Sequence, residues 1–186
     1  MAIILPPDFN GVKYGLSYRL IAEDDAPFIV ELRTDPVLSK FISYTNTSVE
    51  SQINWIHRYK ERERLGQEYY LVFFYEDSPV GVCRLYDIKE DHFTFGSWVF
   101  KSGAPFFCSM AGAIITKEIA FETLGLSIEI DKDGTHVDNK KVIRFSKQQG
   151  MVYNGTREDD MGVFMTGYLE KETFEKNKLD IIRFFS

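Results

Sequence analysis

Short apolar runs dominate the pattern along the chain, and several alternate with polar residues at the period of a β-strand. The polar EDSP connection between two of these runs is typical of an antiparallel hairpin. The pattern predicts strands over Tyr14–Leu20, Tyr69–Tyr75, Val80–Ile88, Phe93–Phe100, Leu126–Ile130, Met151–Tyr153 and Gly162–Leu169, with the polar segments DKDGTHVDN and NGTREDD as connections.

Segments with helical periodicity separate these strands. Asp24 and Asp25, with Pro27 soon after, predict the start of a helix, and Ser48 is a typical N-cap for a helix that runs to about Leu65. A polar SYTNTS stretch precedes that N-cap. Further helices are predicted over Val37–Phe41, Met110–Leu124, Lys140–Gln149 and the tail TFEKNKLDIIRFF.

The order of the elements indicates an α+β protein. A meander of three strands is followed by one helical crossover, which favours a mixed sheet. No internal repeat or linker interrupts the chain. We therefore expect one domain over residues 1–186.

One stretch, Phe95–Gly112, reads FGSWVFKSGAPFFCSMAG and combines three features. An apolar strand runs into a loop that contains Gly and Pro, and this loop opens a helix. The first N–H groups of a helix have no partner within it, so they form a natural site for an anion. The arrangement suits a phosphate-bearing cofactor.

Composition excludes several classes of protein. The 186 residues carry a net charge of −6, which argues against general binding to nucleic acid or to anionic membranes. The start, MAIILPPDF, has no basic segment of a secretory signal, and we expect a cytoplasmic protein. Cys83 and Cys108 form neither a disulfide framework nor a metal-ligand pattern, so no metal is expected. A homodimer is compatible with the terminal hairpin and tail.

The chain resembles the GNAT superfamily of acyl-CoA-dependent N-acyltransferases over nearly its whole length. The likeness rests on the order of elements and on the pairing of FGSWVF, its loop and its helix with the later segment VDNKKVIRFSKQQGM. It implies a mixed, mostly antiparallel sheet with helices on both faces and a splayed central pair of strands that holds acetyl-CoA. In that family an Asn lies beside the cofactor and a helix ends in Gly plus a large residue, as at Asn139, Gly150 and Met151. The implied cofactor contacts are Trp98, Val99, Phe100, Phe107, Cys108, Ser109, Met110, Ala111, Gly112 and Asn139.

The region LRTDPVLSKFISYTNTSVESQINWIHRY is similar to the two-helix substrate lid of the branch that modifies ribosomal-protein termini and nucleotide-linked amino sugars. The blocks RLYD and GSW resemble the amino-sugar members more closely. The implied acceptor is a small-molecule amine, and the resemblance places Arg33, His57, Arg84 and Asp87 at its site. Exposed or structural roles remain open for His57 and Asp87.

Two departures from the family pattern stand out. The pyrophosphate signature Gln/Arg-x-x-Gly-x-Gly/Ala aligns with PFFCSM, so Cys108 and Met110 occupy the two small positions. Small residues serve there because the backbone must approach phosphate closely. Ser146 stands where the family often has a Tyr that protonates the leaving thiolate, and a serine could only orient a water.

Acyl transfer to an amine needs an N–H near the thioester oxygen and an acceptor for the ammonium proton. The main chain around Val99 and Phe100 is our candidate for the first. Glu129 and His136 are candidates for the second, Glu129 by its strand position in the family and His136 because imidazole titrates near neutral pH. A solvated strand residue is the alternative reading of Glu129.

The sequence thus predicts an N-acetyltransferase that moves an acetyl group from acetyl-CoA to a primary amine of a nucleotide-linked amino sugar, by direct transfer in a ternary complex. No cysteine or serine has a recognisable triad partner for a covalent route. Two alternatives stay open: a ribosomal-protein or peptide N-terminal acetyltransferase, and a non-catalytic acyl-CoA-binding module.

Overall fold

A computed structural model describes residues 3–42 and 46–185 of the chain. It contains one eight-stranded sheet, and the strands are β1 (Asn10–Lys13), β2 (Leu16–Leu20), β3 (Tyr69–Tyr75), β4 (Ser78–Tyr86), β5 (His92–Phe100), β6 (Ile128–His136), β7 (Val152–Asp159) and β8 (Gly162–Glu170). Their spatial order is β1-β2-β3-β4-β5-β6-β8-β7. All neighbours are antiparallel except β5 and β6. The predicted mixed, mostly antiparallel sheet is confirmed.

In the described part of the chain, five α-helices flank the sheet: α1 (Ala26–Thr34), α2 (Val49–Arg64), α3 (Phe106–Glu118), α4 (Lys140–Gln149) and α5 (Lys171–Ile182). Two 3₁₀ turns, Glu23–Asp25 and Leu38–Phe41, stand before and after α1. The Ser48 hydroxyl caps α2 by accepting the Ser51 N–H at 3.2 Å. The first three residues of the SYTNTS stretch lie outside the described residues. Among the helices that the structure describes, none has the length and apolar character needed to cross a bilayer.

Two apolar cores lie on opposite faces of the sheet because β3 and β4 are buried on both sides. On β3, Leu71 and Phe73 pack on the side of α3 and α5, whereas Tyr70 and Val72 pack on the side of α1 and α2. A strand that is covered on both faces reads as a continuous apolar run, as YYLVFFY does. The predicted placement of helices on both faces is confirmed.

The central parallel pair of strands diverges. Among the described residues, β5 and β6 pair at His92 with Ile128 and at Phe93 with Glu129. Beyond that point β5 continues to Phe100, and it stays paired with β4 as far as Gly81. The edge of β5 that faces β6 is therefore open over most of its length, which agrees with the splayed strands that the family resemblance implies.

The helix α3 differs from its predicted bounds. It begins at Phe106, four residues before the predicted Met110, because Pro105 stands at the N-cap and the apolar run FFCSM already follows helical geometry. Its C-terminal part widens into a π-turn over Ile119–Thr123. The amides of Met110, Ala111 and Gly112 consequently lie inside the helix, where each donates to the carbonyl four residues earlier.

Strands also extend into segments that the sequence pattern assigns to polar connections. DKDGTH belongs to β6 and pairs with β8 across a bulge between Asp131 and Thr135, where Gly134 has a φ of 78°. All of NGTRED belongs to β7, an edge strand with polar residues on both sides. Alternation is weak in such strands because neither face is fully buried. At the other end of the chain, the predicted strand over Tyr14–Leu20 is shorter, because Tyr14 and Gly15 form a turn that joins β2 to the preceding, unpredicted strand β1.

We predict that Gly112→Ala destabilises the fold by about 1–3 kcal/mol, because a Cβ there would lie 2.4 Å from the Phe100 ring. Gly103→Ala is the matched control, since nothing lies within 4 Å of its Cβ position. Urea denaturation of both variants measures the difference. Equal stability of the two would contradict the close approach of α3 to β5.

Candidate active site

The divergence of β5 and β6 opens a cleft of about 1730 Å³. It runs from the lid formed by α1 and α2, past the open edge of β5, to the first turns of α3 and α4. Of the residues singled out from the sequence, it brings together Arg33, Arg84, Trp98, Val99, Phe100, Ser109, Met110, Glu129, His136, Asn139 and Ser146. His57, Asp87, Phe107, Cys108, Ala111 and Gly112 do not line it.

The charge of the cleft is opposite to that of the whole chain. Among the described residues, nine basic and five acidic side chains line the cleft, although the chain carries a net charge of −6. The basic ones are Arg33, Lys40, Arg58, Arg84, Lys101, Lys140, Lys141, Arg144 and Arg157. A concave surface with this excess of positive charge attracts anionic ligands.

The Phe100 backbone amide on β5 is directed at the cleft. The Lys101 N–H donates to the Val80 carbonyl of β4 at 2.8 Å. Amide directions alternate along a strand, so the Val99 N–H also points to β4 and the Phe100 N–H points to the open edge. The geometry thus separates the two predicted oxyanion donors and favours Phe100.

The start of α3 supplies further amides. The N–H groups of Phe106 and Phe107 open the helix and have no acceptor within it, whereas that of Cys108 donates to the Pro105 carbonyl at 2.9 Å. The Cys108 side chain is fully buried, away from the cleft, and therefore does not obstruct a ligand. The Phe106 ring is 76% exposed at the cleft and Met110 also lines it.

Phe107, Ala111 and Gly112 serve packing rather than the cleft. The Phe107 ring contacts Tyr75 and Phe185 on the outer side of α3. Ala111 is fully buried in the core. The position of Gly112 against Phe100 brings the helix close to the sheet. The helix periodicity turns these three residues away from the ligand side.

Trp98 joins three elements at the bottom of the cleft. Its indole N–H donates to the Ser109 carbonyl on α3 at 2.8 Å. Its ring lies 5.4 Å from that of Phe145 on α4 and 6.0 Å from that of Phe95. Trp98 therefore ties the divergent strand to both helices that line the cleft.

The lid side of the cleft combines aromatic and basic groups. The Arg84 guanidinium lies 5.0 Å from the Trp55 ring centroid and 4.8 Å from that of Tyr86, and its Nε donates to Glu68 at 2.7 Å. From α1, Arg33 reaches Ser97 at 3.4 Å. Outside the cleft, His57 contacts Glu23 at 2.8 Å and Asp87 forms an ion pair with Lys132.

Strand β6 directs three acidic side chains, Glu129, Asp131 and Asp133, into the cleft. Glu129 is 2% exposed and its Oε2 lies 2.8 Å from the ammonium of Lys117, which is 1% exposed. Asp133 accepts the Tyr86 hydroxyl at 2.5 Å. The predicted base Glu129 is thus neutralised by a buried lysine, and Asp131, which the sequence analysis did not single out, is its neighbour on the same face.

His136 is engaged at both ring nitrogens. The Asp138 N–H donates to Nδ1 at 3.1 Å, and Nε2 lies 3.1 Å from the Met161 carbonyl, which fits a neutral ring with its proton on Nε2. The ring packs between Phe41 of the lid and Phe164 of β8. The lone pair of the unprotonated ring nitrogen of His136 is therefore used by a backbone hydrogen bond. The role that the contacts support is packing, because the ring of His136 holds Phe41 of the lid.

Asn139 and Ser146 both belong to α4. Asn139 occupies the N-cap position without a capping bond from its side chain, which faces the cleft. Ser146 is buried beside the cleft, in hydrogen-bond contact with Tyr153. That contact lowers the pKa of Tyr153, but burial outweighs it and raises the pKa overall. The Tyr153 hydroxyl also approaches Thr135 Oγ1 at 3.5 Å.

Sequence reasoning singled out Arg33 and Arg84, but it missed Asp131, Trp55, Tyr86, Phe106 and the other basic residues that line the cleft. Strand alternation in IEIDKD could have identified Asp131 and Asp133 as sharing a face with Glu129. The other basic residues have no such signal, because the basic lining comes from α1, α2, β4, α4, β7, the Leu38–Phe41 turn and the loop after β5, which meet only in the folded chain.

A class of acyl-transferring enzymes has this divergent strand pair beside a helix N-terminus. The Acetyltransferase (GNAT) domain matches residues 16–152 of the chain. The chain therefore belongs to the GNAT acetyltransferase family. No curated protein sequence gives a significant match.

Several solved structures share the fold. Apo FdhC, described as a nucleotide-linked sugar GNAT, is 32% identical, with 96% of this chain and 99% of that chain covered and a TM-score of 0.82. The ribosomal-protein-S5-alanine acetyltransferase of Vibrio fischeri is 13% identical, with 89% and 98% covered and a TM-score of 0.76. The spermidine N-acetyltransferase of Vibrio cholerae is 16% identical, with 88% and 99% covered and a TM-score of 0.72. The last two show the fold alone.

We predict that Lys117→Met destabilises the protein by about 3–5 kcal/mol, because it leaves the Glu129 carboxylate buried without its cation. The double variant Lys117→Met/Glu129→Gln should recover much of this loss, since it removes the buried charge as well. Thermal or urea denaturation measures both. A double variant no more stable than the single one would show that the ion pair is not the source of the effect.

Proposed function

We propose that this protein transfers an acetyl group from acetyl-CoA to the primary amine of a nucleotide-linked amino sugar, in the biosynthesis of surface polysaccharide. The carrying observation is the excess of basic side chains on both the lid side and the helix side of one cleft, within an acidic chain. Two diphosphate-bearing ligands that meet in the middle of the cleft would account for both sets of basic side chains. The 32% identity to a nucleotide-linked sugar GNAT supports this acceptor class.

The helix side fits the acyl donor. The amides of Phe106 and Phe107 suit a diphosphate, and the side chain of Cys108, at a position where the family has a small residue, is turned into the core. Lys140 and Arg144 of α4 also line the cleft. The Phe100 N–H would donate to the thioester oxygen, and Asn139 would hydrogen-bond the pantetheine arm.

Direct transfer follows from the location of the thiols. Both cysteines, Cys83 and Cys108, are buried, and neither lines the cleft. Burial raises the pKa of both thiols and so disfavours the thiolate that a covalent route would need. The amine would therefore attack the thioester in a ternary complex, where the gain comes from holding the two reactants together.

The lid side fits an anionic acceptor that carries an aromatic base. Arg33, Arg58 and Arg84 would contact its phosphates, and the aromatic groups Trp55 and Tyr86, which pack against the Arg84 guanidinium, would lie beside its base. A polyamine or a basic ribosomal peptide would instead meet three like charges there, which favours the sugar nucleotide over both.

The first experiment incubates the protein with acetyl-CoA and a panel of amines and measures free thiol. Nucleotide-linked amino sugars should react at least tenfold faster in kcat/KM than spermidine or N-terminal peptides. Calorimetry with CoA accompanies the assay. Tight binding of CoA without transfer to any amine would instead support a non-catalytic binding module, and faster reaction with the peptide would support the N-terminal acetyltransferase.

We further predict that Arg58→Gln raises KM for the sugar nucleotide about threefold to tenfold, because it removes a charge-assisted contact to phosphate. KM for acetyl-CoA should stay within a factor of two. Arg64→Gln is the matched control, since Arg64 lies on the same helix, is exposed and does not line the cleft. An equal effect of both substitutions would indicate a general change in surface charge and remove Arg58 from the acceptor site.

A further inference from the structure

Strand β6 offers three carboxylates to the cleft, and the structure gives each a different environment. Glu129 is held by the Lys117 ammonium at 2.8 Å. Asp133 accepts the Tyr86 hydroxyl at 2.5 Å. Within the described residues, Asp131 forms no ion pair and accepts only neutral donors, the Gly134 N–H at 2.9 Å and the Thr135 hydroxyl at 3.3 Å. Among the described residues, neither Asp131 nor Asp133 has a cation partner, and Asp131 is the carboxylate of the three that is held only by groups of its own strand.

The position of Asp131 suits a reaction at the point where the strands part. It lies two residues beyond Glu129, which forms the last pair between β5 and β6, and it faces the cleft just past that pair. The bulge between Asp131 and Thr135 folds the chain back, so that the Gly134 amide and Thr135 hydroxyl fix the carboxylate. Such a fixed carboxylate keeps a defined direction toward a ligand.

The charged and titratable groups around Asp131 come from four elements. Glu129 on the same strand and burial favour its neutral form, while Lys117 of α3 favours its ionised form. The phenols of Tyr86 on β4 and Tyr153 on β7 also face it. Burial is the largest effect, Glu129 the next, and together they raise the pKa of Asp131 to about 6. A carboxylate with this pKa is ionised at neutral pH and is still basic enough to take a proton.

We propose that Asp131 is the catalytic base that deprotonates the ammonium group of the acceptor. This inference rests on the proposed transferase function. The ammonium gives one proton to the Asp131 carboxylate, and the neutral amine attacks the thioester carbon. The C–N bond forms, the C–S bond breaks with its electron pair left on sulfur, and a second proton from the nitrogen converts the thiolate to the thiol. Asp131 then releases its proton to water.

The different roles of Glu129, Asp131 and Asp133 follow from their contacts. Lys117 neutralises Glu129, which would otherwise raise the affinity of Asp131 for its proton further. Tyr86 extends from β4 over Gly96, where a Cβ would lie 2.9 Å from its ring, and reaches Asp133 on β6. Tyr86 thereby spans the divergent strands and occupies Asp133, which leaves Asp131 beside the open edge of β5.

The test is the pH dependence of kcat/KM with the best amine acceptor. The wild type should lose activity below a pH of about 6 with a slope of one, because protonated Asp131 cannot accept a proton. Asp131→Asn should lower kcat by about 10²- to 10⁴-fold and abolish this acid limb. Its affinity for CoA, measured by calorimetry, and its melting temperature should stay near those of the wild type.

Two further variants separate a base from a structural role. Asp131→Glu keeps a carboxylate and should restore part of the rate together with the acid limb. Asp133→Asn is the same substitution two residues further along the same face of β6. Its kcat/KM should still fall at low pH as in the wild type, whatever the value of its kcat. An Asp131→Asn variant that retains the limb and more than half of the wild-type kcat overturns the inference while the transferase function stands. A wild type that acetylates no amine overturns both.

Discussion

The site depends on one constraint, the short parallel pairing of β5 with β6. Two residue pairs, His92 with Ile128 and Phe93 with Glu129, hold these strands together before they diverge. The Glu129 side chain at the end of this pairing is fixed by Lys117, whose ammonium also lies 4.9 Å from the Phe95 ring. A buried ion pair seldom adds net stability, but it allows one arrangement of the charged groups and so specifies where the strands part.

The same ion pair sets the electrostatics of the cleft. Without Lys117, Glu129 and Asp131 would be two carboxylates on one strand face, and mutual repulsion would drive one of them to hold a proton. With Lys117 present, Glu129 is paired and the Tyr86 hydroxyl engages Asp133, so that Asp131 is the carboxylate held only by its own strand among the described residues of β6 that line the cleft. The fold thus separates a structural acid from a chemically available one over a distance of two residues.

The sequence predicts the parts of the fold that obey simple periodicity. The bounds of β3 and α4 agree with the prediction to the residue, and the left-handed Gly150, with a φ of 107°, ends α4 as expected. The extension of β6 and β7 escaped prediction because both carry polar residues on both faces. The earlier start of α3 was not predicted, because Pro105 and the two aromatic residues after it are equally compatible with a loop when their burial is unknown.

The candidate site shows the same limit at the level of single residues. Type and position in the sequence suggest Glu129 and His136 as bases, but a partner distant in the chain decides whether a lone pair is available. Lys117 takes up the charge of one, and the Asp138 amide takes the lone pair of the other. Asp131 becomes available because Gly134 bends the strand at a bulge and leaves it with neutral donors. Whether a side chain at this site can accept a proton depends on its tertiary contacts. The candidate base is therefore identified from the fold and not from residue type alone.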